Sequence, residues 1–281
     1  MERRIVHFAG LPAPAKLNLF LHVVGRRADG YHLLQTVFRF IDFGDSLSFA
    51  LRADGEITRT NAVAGLPAES DLCVRAARLL QTATESSQGV DITLIKRLPF
   101  GGGLGGGSSD AATTLIALNR LWRLDLSRER LQELGLALGA DVPVFVFGES
   151  AFAEGVGERL QAVSLPPAWY VVLSPPIAVA TAGVFANPEL TRNTIPIRMT
   201  DFSVGQGRND LEPVVCRNYP VVAQHLAWLR RFSAAAITGS GACVFAAFPS
   251  EQEARQVLAQ LPPTMEGFAA RGLDRHPLHG F

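Results

Sequence analysis

The chain has no surplus of either charge: 26 lysines and arginines offset 26 aspartates and glutamates. A protein that holds nucleic acid by neutralising phosphates should be basic, so a nucleic-acid partner is not expected. A small anionic ligand in a local pocket remains compatible. Cysteine is scarce, with only Cys73, Cys216 and Cys243, none of them in Cys-x-x-Cys spacing. That odd number in apolar or helical surroundings points to a reduced, cytoplasmic protein with structural thiols rather than disulfides or a zinc site. Long apolar runs are also missing. Residues 1–10 lack the apolar core of a signal peptide, and no stretch approaches the length of a membrane span. No membrane partner is expected. A Gly-x-Ser-x-Gly nucleophile elbow and a His/Cys metal cluster are absent as well.

What the chain does have is glycine in one place. Residues 99–110 read Pro-Phe-Gly-Gly-Gly-Leu-Gly-Gly-Gly-Ser-Ser-Asp. Glycine has no Cβ and tolerates positive φ, so such a run lets backbone N–H groups approach a ligand closely. Residues 90–98 alternate and are β-branched, which predicts a strand, and 108–122 carry helical spacing with a Ser/Asp start. Strand, glycine loop and helix N-terminus together make an anion site, and a nucleotide phosphate is the obvious anion. A P-loop would need a lysine after the glycines, and none follows. Gly101, Gly103 and Gly106 formally meet Gly-x-Gly-x-x-Gly. The acid at the expected offset, Asp125, sits in a joint between two helical patterns instead of ending a second strand, so that match is accidental.

With 281 residues, 48% apolar and 19% charged, the chain is long enough for one or two globular domains. Strands are predicted at 15–24, 33–41 and 46–51, a helix at 71–84, a second helix at 128–138 after the glycine unit, and strands at 142–147 and 150–155. Leu165-Pro166-Pro167 marks the domain boundary. Beyond it come a strand at 169–174, a short helix from 181, an irregular stretch at 187–206 and helical sequence at 211–232 broken near Pro220. A strand pair follows at 234–248 around Gly239-Ser240-Gly241, then a helix at 251–261 and a strand at 265–271. Strands and helices in this order suggest an α+β sandwich of ferredoxin-like arrangement.

Several polar residues stand out from this background. Lys16 and Asn18 lie two apart in a strand, so both face one side while Leu17 and Leu19 face the other. Lys16 reads either as a snorkelling edge lysine or as a cation serving a reacting oxygen. Asp141 enters an apolar segment and must be paired or hydrogen-bonded. It reads as a turn aspartate or as a carboxylate that a partner such as Lys16 would hold ionised. Tyr31 and His32 form an aromatic pair at a loop edge that either packs at a strand start or stacks on a ring. Residues 238–242 form a second glycine turn that contacts phosphate or turns a corner. Ser108 and Ser109 can cap the helix and donate to phosphate or Mg²⁺. Asp110 is expected to point away from the nucleotide or to act through Mg²⁺.

Five stretches occur in an order that resembles the GHMP small-molecule kinases. They are Ala-Pro-Ala-Lys-Leu-Asn-Leu-Phe-Leu at 13–21, Arg-Ala-Asp-Gly-Tyr-His at 27–32, the glycine stretch through 112, Leu-Gly-Ala-Asp-Val-Pro-Val-Phe at 138–145 and Thr-Gly-Ser-Gly-Ala-Cys-Val-Phe at 238–245. The likeness runs from near residue 10 to Pro277-Leu278-His279-Gly280. The glycine motif alone identifies only the superfamily. The Lys-Leu-Asn, Gly-Tyr-His and Gly-Ala-Asp-Val-Pro set narrows it to members acting on a cytidyl-diphosphate substrate. The resemblance implies a two-domain α+β fold. Residues 1–164 would be the ATP-binding and catalytic domain, like the second domain of ribosomal protein S5, and 165–281 a ferredoxin-like substrate-side domain.

The resemblance further implies ATP-dependent phosphorylation of the 2-hydroxyl of 4-diphosphocytidyl-2-C-methyl-D-erythritol in the non-mevalonate isoprenoid pathway, with Mg²⁺. Lys16 and Asp141 match the catalytic pair. Pro99, Phe100, Gly101, Gly102, Gly103, Leu104, Gly105, Gly106, Gly107, Ser108 and Ser109 match the ATP phosphate loop, and Lys96 a residue near the ATP nucleoside. Asn18, Tyr31 and His32, joined by Phe185, match positions holding the cytidine end. Asp71-Leu72 departs from the family's usual Asn-Leu pair, which puts an adenine contact there in doubt. Monomer and homodimer both remain open. The rivals are another kinase of the superfamily, acting on homoserine, mevalonate or a sugar, and a nucleotide- or RNA-binding module, which the neutral charge disfavours.

Overall fold

The computed structural model describes residues 6–202 and 208–281. The first half contains β1 (His7–Arg26), β2 (His32–Arg52), β3 (Ile57–Arg59), α1 (Leu72–Thr84), β4 (Gly89–Ile95), α2 (Gly106–Leu121), α3 (Arg128–Leu136), α4 (Val142–Phe147), β5 (Ala151–Glu154) and β6 (Arg159–Ala162). The second contains β7 (Trp169–Leu173), α5 (Thr181–Ala186), α6 (Glu212–Asn218), α7 (Pro220–Leu229), β8 (Ala235–Ile237), β9 (Val244–Phe248), α8 (Glu251–Leu258) and β10 (Gly267–Leu273). The strands join in the order β3-β4-β2-β10-β7-β9-β8, with β1 and the β5–β6 hairpin also pairing to β2. All pairings are antiparallel except β3 with β4.

Helices cover one face of each half. Phe40, Leu47, Phe49, Ile92 and Leu94 pack under α1 to α4, and Val171, Leu173, Val244 and Ala246 pack under α6 to α8. A third cluster joins the halves: Ala15, Leu17 and Ile41 meet Tyr170, Val172 and Phe245, with Leu98 and Leu104 of the glycine loop among them. The last residues return to the first half, where Ser150 N–H donates to Asp274 O, His276 N–H to Gly148 O and Arg128 Nη2 to His279 O.

Three expectations change. Residues 33–41 and 46–51 form one strand, β2, because Gly44 lets it pass the backbone of Ala13 and Pro14, where a Cβ would stand 2.1 Å from Ala13 O. The apolar run Val142–Phe147 is a helix, not a strand. An apolar run of six with five residues buried carries no usable period, and Pro143 in the first turn with Gly148 in the left-handed conformation at the C-cap decides for helix. Residues 187–206, expected to be irregular, contain a 3₁₀ turn at Met199–Asp201, and 203–206 lie outside the described residues.

The free edge of β1 organises everything that follows. In a strand, alternate N–H groups point to the same edge. Lys16 N–H donates to Leu104 O and Asn18 N–H to Thr238 Oγ1. After a bulge between Asn18 and Leu21, Leu21 N–H donates to Arg208 O and Val23 N–H to Asp210 Oδ2. The edge that would otherwise expose unpaired donors is thus closed by the glycine loop, the 238–242 turn and the 208–210 segment.

Candidate active site

Period 2 along β1 places Lys16 and Asn18 on one face, as expected, and both are buried. The ammonium of Lys16 donates to Asn18 Oδ1 at 2.6 Å and Gly103 O at 2.9 Å and forms an ion pair with Asp141 Oδ2 at 3.2 Å. Asp141 precedes α4 but makes no capping bond with its side chain, which leaves the carboxylate facing Lys16 and 36% exposed. Asn18 is itself held by donating from Nδ2 to Thr36 Oγ1. A buried cation next to a half-open carboxylate is an arrangement that can take a proton from a bound hydroxyl.

The glycine loop forms the next layer. Gly103 has φ +74°, and a Cβ there would stand 2.1 Å from Thr238 O. The 238–242 turn locks onto the loop through Ala242 N–H to Gly101 O and Cys243 N–H to Gly102 O. Gly105, at φ +72°, starts α2 with no side-chain cap. The helix therefore begins at Gly106, two residues before Ser108, and the serines are not caps. A left-handed glycine turns the chain into the helix early, so Ser108 and Ser109 fall within the first turn. Ser108 faces the cavities on either side of the loop, whereas Ser109 is fully buried and its hydroxyl has no hydrogen-bond partner among the described residues.

Three cavities adjoin one another along this wall. The central one, about 310 Å³, is lined by Lys16, Asn18, Ser108, Asp141, Thr181 and Ser240. Across the glycine loop lies a second, about 340 Å³, lined by Pro99, Phe100, the loop glycines, Lys96, Asp71 and Asp110. On the other side, sharing Leu34, Ala140, Val156, Thr181 and Phe185 with the centre, is an outer cavity of about 590 Å³ that holds Tyr31 and His32. Tyr31 is exposed, and His32 stacks on Phe185 with ring centroids 4.9 Å apart. Asn18 lines the central cavity with Lys16 and Phe185, whereas Tyr31 and His32 line the outer one.

Below the second cavity sits a buried charge cluster. Lys96 Nζ donates to Asp45 and to Asp110 Oδ2, the latter at 2.8 Å. Asp110 does not point away from the cavity: it lines it, neutralised by Lys96. Burial pushes the Asp110 carboxyl up to about 7 against the pull of Lys96. Burial works against the Lys96 charge, but Asp110 and Asp45 outweigh it and raise its pKa. Asp45 also accepts from Arg97 N–H and Leu98 N–H, so one carboxylate fixes the approach to the glycine loop. Asp71 caps α1 by accepting from Cys73 N–H and pairs with buried Arg59 at 2.8 Å.

Asp45, Arg59 and Arg192 had no sequence signal; the 238–242 turn did, as an unassigned glycine corner. Among the described residues, no group of three or more His, Cys, Asp or Glu could hold a metal ion, and no helix is long and apolar enough to cross a membrane. One carboxylate, Asp141, lines the central cavity, beside the hydroxyls of Ser108, Thr181 and Ser240. A single carboxylate is too little for a protein cage but fits Mg²⁺, which keeps waters and binds through one or two protein oxygens and substrate phosphates.

Comparison with known proteins gives a consistent result. The family described as "GHMP kinases N terminal domain" matches residues 71–149, and "GHMP kinases C terminal" matches 197–266. The chain is 64% identical over 273 residues to a 4-diphosphocytidyl-2-C-methyl-D-erythritol kinase of Nitrosospira multiformis, covering 96% of this chain and 93% of the relative. It is 65% identical over 270 residues to the protein of that name from Thiobacillus denitrificans, covering 96% and 97%. Among solved structures, a crystal structure of 4-(cytidine 5'-diphospho)-2C-methyl-D-erythritol kinase aligns with a TM-score of 0.79 at 33% identity, covering 93% of this chain and 98% of that one.

Proposed function

The chain belongs to the GHMP kinases and is a small-molecule kinase, and from that premise we propose that it transfers the γ-phosphoryl group of ATP to the 2-hydroxyl of 4-diphosphocytidyl-2-C-methyl-D-erythritol. The products are the 2-phosphate and ADP, in the non-mevalonate route to isoprenoids. The observation that carries the reading is the row of three cavities with Lys16 and Asp141 in the middle one. A phosphoryl donor with a nucleoside on one side of the glycine loop and an acceptor with a second nucleoside on the other would fill that row.

Phosphoryl transfer needs mostly positioning and charge stabilisation. The loop from Pro99 to Ser109 and the N-terminus of α2 supply N–H donors and a positive dipole end for the phosphates. Mg²⁺, held by the phosphates with Ser108 and Asp141 in reach, would supply charge neutralisation on the transferring group. Asp141 accepts the proton of the acceptor hydroxyl as general base. Lys16 holds the Asp141 carboxylate in place and offsets negative charge developing on the hydroxyl oxygen. Asn18 and Gly103 O fix Lys16 from the other side. Lys96, held by Asp45 and Asp110, and Phe100 border the nucleoside of ATP. Tyr31, His32 and Phe185 hold the cytidine. The active site sits in one chain, and the protein acts as a monomer or homodimer in the cytoplasm.

The test is ADP formation that depends on the cytidyl substrate. Asp141→Asn keeps the shape and removes the base, so kcat should fall by roughly 10²–10⁴-fold with little change in the KM for ATP. A near-normal kcat in the folded variant would sink the assignment of Asp141.

A further inference from the structure

Arg192 follows α5, and every arm of its guanidinium is engaged. Nη2 donates to the carbonyls of Phe185 at 2.9 Å and Asn187 at 2.7 Å, and Nη1 to that of Leu190 at 3.0 Å. Nε donates to Nε2 of His32 at 3.1 Å, across 160 residues of sequence. That last contact decides the chemistry of the imidazole. A guanidinium only donates, so Nε2 receives with its lone pair and carries no proton. The neutral ring then has its proton on Nδ1. The ring lines the outer cavity, and among the described residues Nδ1 has no hydrogen-bond partner.

Resting on the reading of the outer cavity as the cytidine end, we infer that Arg192 fixes the tautomer of His32 so that an N–H donor faces the cavity and selects cytosine over uracil. Cytosine presents a bare N3, an acceptor that meets such a donor. Uracil carries a proton on N3, so the same edge would set donor against donor and leave both groups unpaired. Protonation of the ring would abolish the distinction between its two nitrogens. Burial, reinforced by the charges of Arg192 and Arg26, disfavours it and lowers the His32 pKa. Asp29 and Tyr31 are the other titratable groups lining the cavity. Arg192 is thus a positioning residue, acting on the base through His32.

Two readouts test this. In the ligand-free, full-length, ¹⁵N-labelled protein, long-range ¹H–¹⁵N spectra report the tautomer of His32, assigned by its loss in His32→Asn. The expected spectrum shows Nδ1 protonated and Nε2 bare, with the Nε2-protonated form appearing in Arg192→Met. Protonated Nε2 in the parent overturns the inference, whether or not Arg192→Met folds. In the second readout, the parent should prefer the cytidyl-linked over the uridyl-linked substrate in kcat/KM by about 10-fold or more. Arg192→Met should shrink that ratio while leaving the KM for ATP in place. Equal losses on both substrates would mean that Arg192 only anchors the carbonyls of Phe185, Asn187 and Leu190, and would overturn its role in selection. If the parent turns over neither substrate, the functional reading fails and the selection with it. The spectrum still reports the tautomer independently.

Discussion

The Lys16 ammonium is held from three directions: it donates to Asn18 and Gly103 O and forms an ion pair with Asp141. Such an ion is fixed in direction, which is what a group stabilising charge at one point requires. The Asp71–Arg59 pair is of another kind, with both side chains buried and Asp71 also capping α1. Asp71→Ala should therefore cost about 3–5 kcal/mol, the usual consequence of leaving a buried charge unpaired, read as a lower denaturation midpoint. Asp110 takes up its proton near 7 in the fold and near 3.8 when unfolded. Its contribution to stability is complete below about 3.8 and is lost as pH rises through 7. In Asp110→Asn that part of the pH dependence of Tm should vanish, leaving a flatter profile between pH 4 and 7. Lys16, Asn18 and Asp141 were legible in the sequence because strand period and motif spacing are local. Asp45 and Arg192 were not, since their partners lie 53 residues away, at Leu98, and 160 residues away, at His32.

At the scale of elements, the glycine loop works because a second glycine corner presses on it. Gly103→Ala would place a Cβ 2.1 Å from Thr238 O at a positive φ. That conformation alone costs a non-glycine residue roughly 1–2 kcal/mol, and the clash adds to it. Loop and turn should separate, with loss of ATP binding by calorimetry while far-UV circular dichroism stays near the parent's. ATP affinity like the parent's would show that the corner is not needed to shape the loop. The strand, loop and α2 were legible because their signals are local and strong. The helix α4 was read as a strand because burial on all sides erases the period, and the start of α2 was misplaced because a left-handed glycine, not a serine, begins it.

At the scale of the molecule, the two halves share the cluster under the glycine loop, and the terminal tail ties back beneath α4. His276 is buried in that tail, accepts from Leu278 N–H on Nδ1 and meets Phe40 edge-on. Burial, with Arg128 and His279 nearby, pushes its pKa down to about 3. The unfolded chain takes up this proton near 6.5, so the stability His276 supports is complete above that pH and drains as pH falls toward 3. His276→Asn, which keeps an acceptor but does not titrate, should lose part of the fall in Tm over that range. The return of the tail was not legible, because only its fold-back brings residues 274–279 to Gly148 and Ser150. The central claim concerns the row of cavities, and the most direct measurement is ³¹P NMR of the product formed from ATP and 4-diphosphocytidyl-2-C-methyl-D-erythritol, beside homoserine, mevalonate and a cytosine-free methylerythritol phosphate. The account predicts a new phosphomonoester on the 2-oxygen with the cytidyl substrate alone. Phosphorylation of homoserine or mevalonate instead, or equal turnover without the cytosine, would contradict it.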